Sequence, residues 1–231
     1  MSKFGIIMFS LLLLSNITLS QTLDTNNNHI NGNHQIVYCK AGYPVDFYQN
    51  NKVKSATLAG NRNYINGRKQ VVFCKDETPI TFYENGYVQI ATLHANRNYT
   101  NGRNQVTFCK AGTQVIFFKN GDIHSAYLNK DREYVNTRRN KIYCKSGTQI
   151  FFYSDGYVQS AILNGNRIYK NGKLDSVNCK NGTQVQFYIS GLLKSAFVSK
   201  SSTFQDSLGQ AIHVEDGSKV TFDVSGHIIE N

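Results

Sequence analysis

Residues 74–108 read CKDETPITFYENGYVQIATLHANRNYTNGRNQVTF, and the same pattern starts again at position 109. Five cysteines mark the period, each 35 residues from the next: Cys39, Cys74, Cys109, Cys144 and Cys179. A fixed period of this length is typical of solenoids, propellers and hairpin arrays. The sequence therefore predicts a tandem repeat, and it specifies an architecture in more detail than an activity.

The repeat continues beyond the cysteines at both ends. Residues 21–38 match the second half of a unit and residues 214–231 match the first half, and together they hold 36 residues. We therefore expect a single repeat domain over residues 21–231. Its predicted parts are a half unit at 21–38, whole units at 39–73, 74–108, 109–143, 144–178 and 179–213, and a half unit at 214–231.

Residues 1–20 differ from the repeat in composition. Lys3 precedes an apolar run at residues 4–14, and a small-residue pattern follows at residues 18–20. This is the arrangement of a secretory signal peptide. A retained membrane anchor is the alternative, but the apolar run is short for a bilayer span. We predict export, with the mature chain secreted or held in a periplasm or at the cell surface, and with no transmembrane segment after cleavage.

The remaining chain is basic. The 211 residues after position 20 carry 24 Lys and Arg against 15 Asp and Glu, a formal charge of +9. Such a charge attracts acidic partners, including anionic polysaccharides, lipid headgroups and nucleic acid. Charge alone does not choose among them. We predict an anionic surface polymer or a protein partner, and no specific nucleic acid.

Composition favours short strands over helices, with 14 Tyr, 14 Phe and only 2 Pro. The turn Asn85-Gly86 and its equivalents predict hairpins with two-residue loops. That loop places Ile80 and Phe82 on the same face as Ala91 and Leu93. We therefore expect an apolar face built from these positions in every unit.

A second turn follows each cysteine, as at Ala111-Gly112. Treated as another two-residue loop, it pairs Phe108 with Val115 and extends the apolar face across the unit. The same register places Cys109 on the opposite face.

Tyrosines recur on that opposite face. The tyrosine row consists of Tyr48, Tyr83, Tyr153 and Tyr188, with Phe118 at the equivalent position. One interpretation is a ladder that stabilises the sheet through cross-strand pairs. The other is a platform on which sugar rings or bases stack.

The number of strands per unit constrains the architecture. Three strands would reverse the chain direction from one unit to the next, so equivalent units require an even number or a crossover. Residues 96–99 can supply a short fourth strand. Four strands fit an elongated antiparallel β-hairpin array or a small six-bladed propeller closed by the split unit. We predict an all-β fold built as the elongated array, because 35 residues are few for a propeller blade.

The motif FYENGYV at residues 82–88, repeated as FYSDGYV at residues 152–158, resembles the hairpin units of MORN-like repeat proteins. The resemblance covers the whole repeat domain. It implies an elongated hairpin array with a scaffold or interaction role, as in exported or envelope-associated bacterial proteins. The chain differs from MORN units in its lack of Trp and its longer period.

The cysteines invite a disulfide or metal interpretation, but their number is odd and Val214 occupies the same position in the sixth unit. An apolar residue can replace a packed cysteine, whereas it cannot replace a ligand or half of a bridge. We expect five free, mostly buried thiols.

Basic residues also recur with the period. The arginine row is Arg62, Arg97, Arg132 and Arg167; the lysine row is Lys75, Lys110 and Lys145, with Lys40 and Lys180 at equivalent positions; Arg68, Arg103 and Arg138 form a third row. One interpretation is solvated turn residues that protect sheet edges from pairing with other chains. The other is a multivalent groove for a polyanion, in which weak contacts add.

Catalysis requires a convergent set of groups, and the histidines fall at six different phases of the repeat: His29, His34, His94, His124, His213 and His227. No G-x-S-x-G or H-E-x-x-H motif is present. We expect no catalytic residue, cofactor or metal. The predicted function is a non-enzymatic binding or scaffold module; the alternatives are a lectin-like glycan binder that uses the tyrosine row and a structural envelope protein.

Overall fold

The computed structural model describes residues 19–230, so most of the predicted signal peptide lies outside the described residues. Within this part the chain forms 25 strands joined by turns, and no helix is present. The all-β prediction is confirmed.

The strands are β1 Leu19–Thr22, β2 Asn27–Ile30, β3 Ile36–Cys39, β4 Pro44–Phe47, β5 Val53–Thr57, β6 Arg62–Ile65, β7 Val71–Cys74, β8 Pro79–Phe82, β9 Val88–Thr92, β10 Arg97–Thr100, β11 Val106–Cys109, β12 Gln114–Phe117, β13 Ile123–Tyr127, β14 Arg132–Val135, β15 Lys141–Cys144, β16 Gln149–Phe152, β17 Val158–Ile162, β18 Arg167–Lys170, β19 Ser176–Cys179, β20 Gln184–Phe187, β21 Leu193–Phe197, β22 Ser202–Gln205, β23 Ala211–Val214, β24 Lys219–Phe222 and β25 Ile228–Glu230.

Thirteen strands form one antiparallel sheet, which we call the long sheet. Its order is β1-β4-β5-β8-β9-β12-β13-β16-β17-β20-β21-β24-β25. It consists of six sheet hairpins, from β4–β5 to β24–β25, with β1 added at one edge. The strands β1 and β25 each pair on one side only, so the sheet does not close. The elongated array is therefore confirmed over the propeller.

The remaining strands form six separate hairpins, which we call the covering hairpins: β2–β3, β6–β7, β10–β11, β14–β15, β18–β19 and β22–β23. Each unit thus contributes two strands to the long sheet and two to a covering hairpin. The predicted fourth strand at residues 96–99 corresponds to β10, which pairs with β11 so that Arg97 lies opposite Cys109.

The core lies between the covering hairpins and one face of the long sheet. Five of the six covering hairpins contact the sheet through an aromatic pair in edge-to-face geometry, with ring centroids 5.0 to 5.2 Å apart. The pairs are Tyr64–Phe82, Tyr99–Phe117, Tyr134–Phe152, Tyr169–Phe187 and Phe204–Phe222. Such pairs contribute about 0.5–1.5 kcal/mol beyond the burial of their surface.

The predicted hairpin at Ala111-Gly112 is wrong. The turn connects β11 of a covering hairpin to β12 of the long sheet, and these two strands do not pair. Phe108 lies opposite Asn98 rather than Val115. In β11 the buried positions are Thr107 and Cys109, whereas Val106 is exposed. Thr107 and Cys109 face the core although they are the less apolar residues of this strand. The apolar Val106 and Phe108 therefore predicted the wrong face of β11 as the buried one.

The hairpin predicted at Asn85-Gly86 is confirmed, because β8 pairs with β9, but the predicted two-residue loop is wrong. Phe82 lies opposite Val88, and the register then shifts at a β-bulge. The loop has three residues and ends on Gly86, whose φ is 80°. The bulge turns both Val88 and Ala91 towards the core. The predicted apolar set of Ile80, Phe82, Ala91 and Leu93 is fully buried, which confirms that face.

A buried asparagine fixes five of the six covering hairpins to the long sheet. Asn101 donates from Nδ2 to the carbonyl of Gly156 at 3.0 Å, and its Oδ1 accepts from the backbone N–H groups of Arg103 and Gln105. The same bond links Asn31 to Gly86, Asn66 to Gly121, Asn136 to Gly191 and Asn171 to Gly226, always 55 residues apart. Each of these five covering hairpins therefore reaches the turn of the second sheet hairpin after it.

The backbones at this contact approach so closely that glycine is required. A Cβ at Gly156 would overlap the backbone nitrogen of Arg103, and a Cβ at Gly102 would overlap the carbonyl of Ser154. The turn of β4–β5 provides a contrast, because within residues 19–230 no covering hairpin docks there. Its equivalent residue is Asn51, with a φ of 59°. Positive φ alone admits asparagine, so the docked turns use glycine for the close approach.

We predict that Asn101→Asp lowers the free energy of unfolding by about 2 kcal/mol or more, because it removes the donor to Gly156 and buries a carboxylate against a carbonyl. Urea unfolding followed by circular dichroism measures the effect. The matched control is Asp206→Asn, since Asp206 accepts from Leu208 and Gln210 at the equivalent turn and its carboxylate has no amide to donate. Equal effects of the two exchanges would contradict the proposed role of this hydrogen bond.

Candidate functional site

The arginine row stacks on a row of aromatic rings. Each arginine begins a covering hairpin, and its guanidinium lies over a ring of the preceding covering hairpin. The Cζ-to-centroid distances are 4.0 Å for Arg62–Tyr38, 3.4 Å for Arg97–Phe73, 5.1 Å for Arg132–Phe108 and 4.1 Å for Arg167–Tyr143. The row therefore links neighbouring covering hairpins, at about 0.5–2 kcal/mol for each cation–π pair.

Stacking also fixes the guanidinium planes. The Nε atoms of Arg62, Arg97 and Arg167 are buried without a hydrogen-bond partner, as expected for a plane pressed against a ring. Nη1 of Arg62 and of Arg167 donates to the carbonyl of the preceding residue. These three side chains are half-buried and Arg132 is exposed. The guanidinium groups are thus held in place with part of each group open to solvent.

The lysine row lies beside the arginine row. Arg97 is opposite Cys109, and Lys110 follows that cysteine, so both rows lie at the same end of the covering hairpins. Each unit adds two strands to the long sheet, which places equivalent residues about 10 Å apart along the array. The two rows therefore form a basic edge that repeats with every unit.

Lys75, Lys110 and Lys145 are exposed, and within the described chain their side chains make no ion pair or hydrogen bond. In contrast, Lys40 pairs with Glu77 at 2.5 Å and Lys180 with Asp216 at 3.4 Å. The difference lies in the turn of the next unit. It carries an acid in the two paired cases and reads Ala-Gly, Ser-Gly or Asn-Gly in the other three.

The third row is located at the other end, where the covering hairpins dock. Arg68 forms an ion pair with the buried carboxylate of Asp122 and donates to Asn104 at 2.8 Å. The guanidinium of Arg103 lies 4.2 Å from the ring centroid of Tyr157. These two residues therefore have partners within the chain.

The tyrosine row lies on the face of the long sheet that the covering hairpins leave open. Each hydroxyl donates to a phenylalanine carbonyl in the next sheet hairpin, at 2.7 to 2.8 Å. The bonds are Tyr48 to Phe82, Tyr83 to Phe117, Tyr153 to Phe187 and Tyr188 to Phe222. Burial raises the pKa of all four phenols. This geometry supports the ladder interpretation directly.

The open face also contains a groove of about 380 Å³. Its lining residues are the aromatic Phe151, Tyr153, Phe187 and Tyr188 and the polar Gln159, Ser160, Gln184, Gln186 and Lys194. Aromatic rings beside amide and hydroxyl groups are suited to binding a sugar by stacking and hydrogen bonding. The groove therefore supports the other interpretation of the tyrosine row, a platform on which sugar rings stack.

The five cysteines are free and buried, which confirms that prediction. Each thiol contacts the carbonyl two residues earlier, as in Cys74 to Val72 at 3.4 Å. Burial raises the pKa of Cys39 to about 11 and of Cys74 and Cys179 to about 12. The expected location was wrong, because Cys109 lies in the core beneath its covering hairpin. Among the described residues no group of three His, Cys, Asp or Glu can hold a metal ion.

We predict that a thiol reagent at pH 8 labels no cysteine of the folded protein and labels all five in denaturant, because the thiols are buried and their pKa is raised. Absorbance of the released chromophore measures the labelling. The free energy of unfolding of Cys109→Val should lie within about 1 kcal/mol of the wild-type value, because Val214 already fills the equivalent position. Rapid labelling under native conditions would contradict the buried position.

One set of residues was missed from the sequence, the rings on which the arginine row stacks: Tyr38, Phe73, Phe108 and Tyr143. Phe108 was assigned to the core, whereas it is half-buried and lies beneath Arg132 and Lys130, whose Nζ is 3.6 Å from the ring centroid. A signal was present in the repeat. An aromatic residue precedes four of the five cysteines, and in all four cases an arginine follows that aromatic residue 24 positions later.

The fold and site define a tandem β-hairpin repeat protein with a basic edge and an aromatic open face. No family model matches the chain, and a comparison with curated proteins finds no similar sequence. Residues 19–230 include no helix long and apolar enough to cross a bilayer. The functional inference therefore rests on the geometry of the site.

Proposed function

We propose that the chain is an exported, non-enzymatic repeat protein that acts as a binding or scaffold module for an anionic surface polymer. An acidic protein partner would use the same chemistry. The observation that carries the proposal is the lysine row, in which Lys75, Lys110 and Lys145 are exposed, periodic and without internal partners. The predicted signal peptide and the resemblance to MORN-like repeats support the exported scaffold role.

Preorganisation of the arginine row favours anion binding. A guanidinium already stacked on a ring, as Arg97 is on Phe73, has lost most of its rotamer freedom before a ligand arrives. Its planar fork then matches a carboxylate or sulfate group with little further ordering cost. A flexible lysine beside it adds charge without requiring a fixed geometry.

Repetition converts weak contacts into useful affinity. Each cation at an exposed edge contributes little by itself, since exposed ion pairs are worth about 0–1 kcal/mol. A linear polymer that engages one unit is held close to the next, about 10 Å further along. The second contact is then intramolecular, and the affinities combine through effective concentration.

We predict that the mature chain is captured by immobilised acidic polysaccharides, a sulfated one such as heparin and a carboxylated one such as polygalacturonate. Raising the salt concentration from about 50 mM to about 500 mM should weaken capture at least about tenfold, because exposed charges are screened. The triple variant Lys75→Ala, Lys110→Ala, Lys145→Ala should weaken capture by a similar factor. Surface plasmon resonance measures both effects.

The matched control is the double variant Lys40→Ala, Lys180→Ala. These lysines occupy the same position of the repeat but are paired with Glu77 and Asp216, so removing them should change capture much less. Capture that is insensitive to salt, or equal losses per lysine in the two variants, would contradict a role for the unpaired lysine row.

The groove on the open face favours a second candidate function, a lectin-like protein that binds a neutral glycan. Its aromatic and amide lining is suited to sugar rings rather than to charge. Binding there should change little with salt, which separates it from the basic edge. Capture of no polymer or glycan at either salt concentration would favour the structural envelope role.

We predict that, if the open face binds glycans, Tyr153→Ala with Tyr188→Ala abolishes binding of neutral oligosaccharides, whereas Tyr153→Phe with Tyr188→Phe retains it. The phenylalanine variants keep the rings but lose the hydroxyl bonds to Phe187 and Phe222. They should therefore lose about 1 kcal/mol of stability per bond while binding is kept. Isothermal titration calorimetry and urea unfolding measure the two effects, and unchanged binding by the alanine variants would reject this candidate.

A further inference from the structure

The stacked arginine–aromatic pair is missing at one step of the array. Between β18–β19 and β22–β23 the aromatic position is Asn178 and the arginine position is Ser202. Both members of the pair have changed together. The space that a ring and a guanidinium fill at the four earlier steps is therefore left to two small polar side chains.

This step contains a groove of about 430 Å³, lined by Asn166, Arg167, Ile168, Asn178, Ser199 and Lys200. We call it the polar groove. The groove at the preceding step, which includes the ring of Tyr143, measures about 270 Å³. The absence of the stacked pair thus coincides with the larger space. Its volume falls within the range of about 300–1,000 Å³ that is typical of small-molecule sites.

The charge of the two grooves differs as well. The polar groove is lined by two cations, Arg167 and Lys200, and by no carboxylate. In the preceding groove, Asp131 and Glu133 flank Arg132 and offset its charge. An anion is therefore attracted more strongly to the polar groove than to its neighbour.

Arg167 is held ready for a ligand. Its guanidinium lies 4.1 Å from the ring centroid of Tyr143, and Nη1 donates to the carbonyl of Asn166 at 2.8 Å. The other terminal nitrogen, Nη2, has no partner within residues 19–230. Asn178 lies in the same covering hairpin as Arg167, opposite Ile168, and its carbonyl accepts a backbone hydrogen bond of 2.8 Å from Ser199. The groove therefore has an amide and a hydroxyl side chain close together beside the cations.

We propose that the polar groove is a subsite for one acidic sugar residue, whose carboxylate or sulfate group is bound by Arg167 and Lys200. Asn178 and Ser199 supply hydrogen bonds to the sugar hydroxyls. This inference rests on the proposed function, because it names the sugar that anchors an acidic polymer on the basic edge.

The decisive variant is Asn178→Tyr with Ser202→Arg, which restores the regular stacked pair. It fills the groove and at the same time adds one positive charge. Two ligands of equal length are titrated by calorimetry: a short oligogalacturonate, which carries carboxylates, and a sulfated oligosaccharide without carboxylates. The comparison distinguishes binding of carboxylate from binding of sulfate. The wild type should bind at least one of them with a stoichiometry of one, and the variant should bind it at least about tenfold more weakly.

Equal or tighter binding by the variant would overturn the subsite, since charge would then matter and the groove would not. That outcome leaves the proposed function intact, because heparin and polygalacturonate would still be captured by the basic edge. Failure of the wild type to bind either oligosaccharide would also overturn the subsite. A third outcome separates the two proposals in the other direction. If the wild type captures no polymer but still binds the oligosaccharide, and the groove-filling variant does not, the multivalent edge is rejected and the subsite is kept.

A second pair of variants protects the test from a folding defect. Lys200→Gln removes a cation that lines the groove, whereas Lys130→Gln removes the lysine at the same position two units earlier, which stacks on Phe108. The first should weaken oligosaccharide binding about three- to tenfold and the second should not change it. Equal effects would contradict the location of the subsite.

Discussion

The buried hydrogen bond from an asparagine side chain to a glycine carbonyl 55 residues later is the constraint on which this fold depends. Asn101 satisfies three backbone groups at once, the carbonyl of Gly156 and two N–H groups of its own turn. The bond to Gly156 is buried and the two N–H bonds are partly buried, so losing the amide would leave a buried carbonyl and two turn N–H groups without their partner. Because five of the six covering hairpins cross to the second sheet hairpin after them, successive covering hairpins are held parallel and in register. The arginine and lysine rows follow from that register.

A second kind of contact, the arginine stacked on a ring, joins covering hairpins to one another rather than to the sheet. The two kinds are independent, and repeat proteins sum such nearest-neighbour contributions. A stacked pair can therefore be lost at one step without loss of the array. At Asn178 and Ser202 this has happened, while Asn171 still binds Gly226. The next hairpin, β22–β23, has Asp206 in place of the asparagine and no stacked arginine, so it is anchored by fewer contacts than the five covering hairpins before it.

Several features follow from the sequence, because each depends on local chemistry that recurs every 35 residues. They are the repeat period, the all-β fold class, the hairpins of the long sheet and the free buried cysteines. The pairing of β11 does not, because its core side carries Thr107 and Cys109 while Val106 and Phe108 face outwards. The asparagine contact also cannot be predicted from the sequence. An Asn-Gly pair is fully explained as a turn, and a separation of 55 residues is not a multiple of the 35-residue period. The arginine–aromatic pairs could have been predicted, because both members are lost together at the last of the five cysteines, where Asn178 and Ser202 take their places.

Internal contacts account for most of the residues that recur. Cysteines pack in the core, asparagines and glycines dock hairpins, tyrosine hydroxyls join sheet hairpins, and arginines stack on rings. The lysine row is different, because Lys75, Lys110 and Lys145 recur beside turns whose own residues vary and contact no acid there. Packing gives no reason for an exposed cation at these positions, and mutual repulsion along the edge slightly destabilises the array. Under the proposed function, a partner that carries the opposite charge would supply the reason, and its contacts would offset that repulsion at every unit.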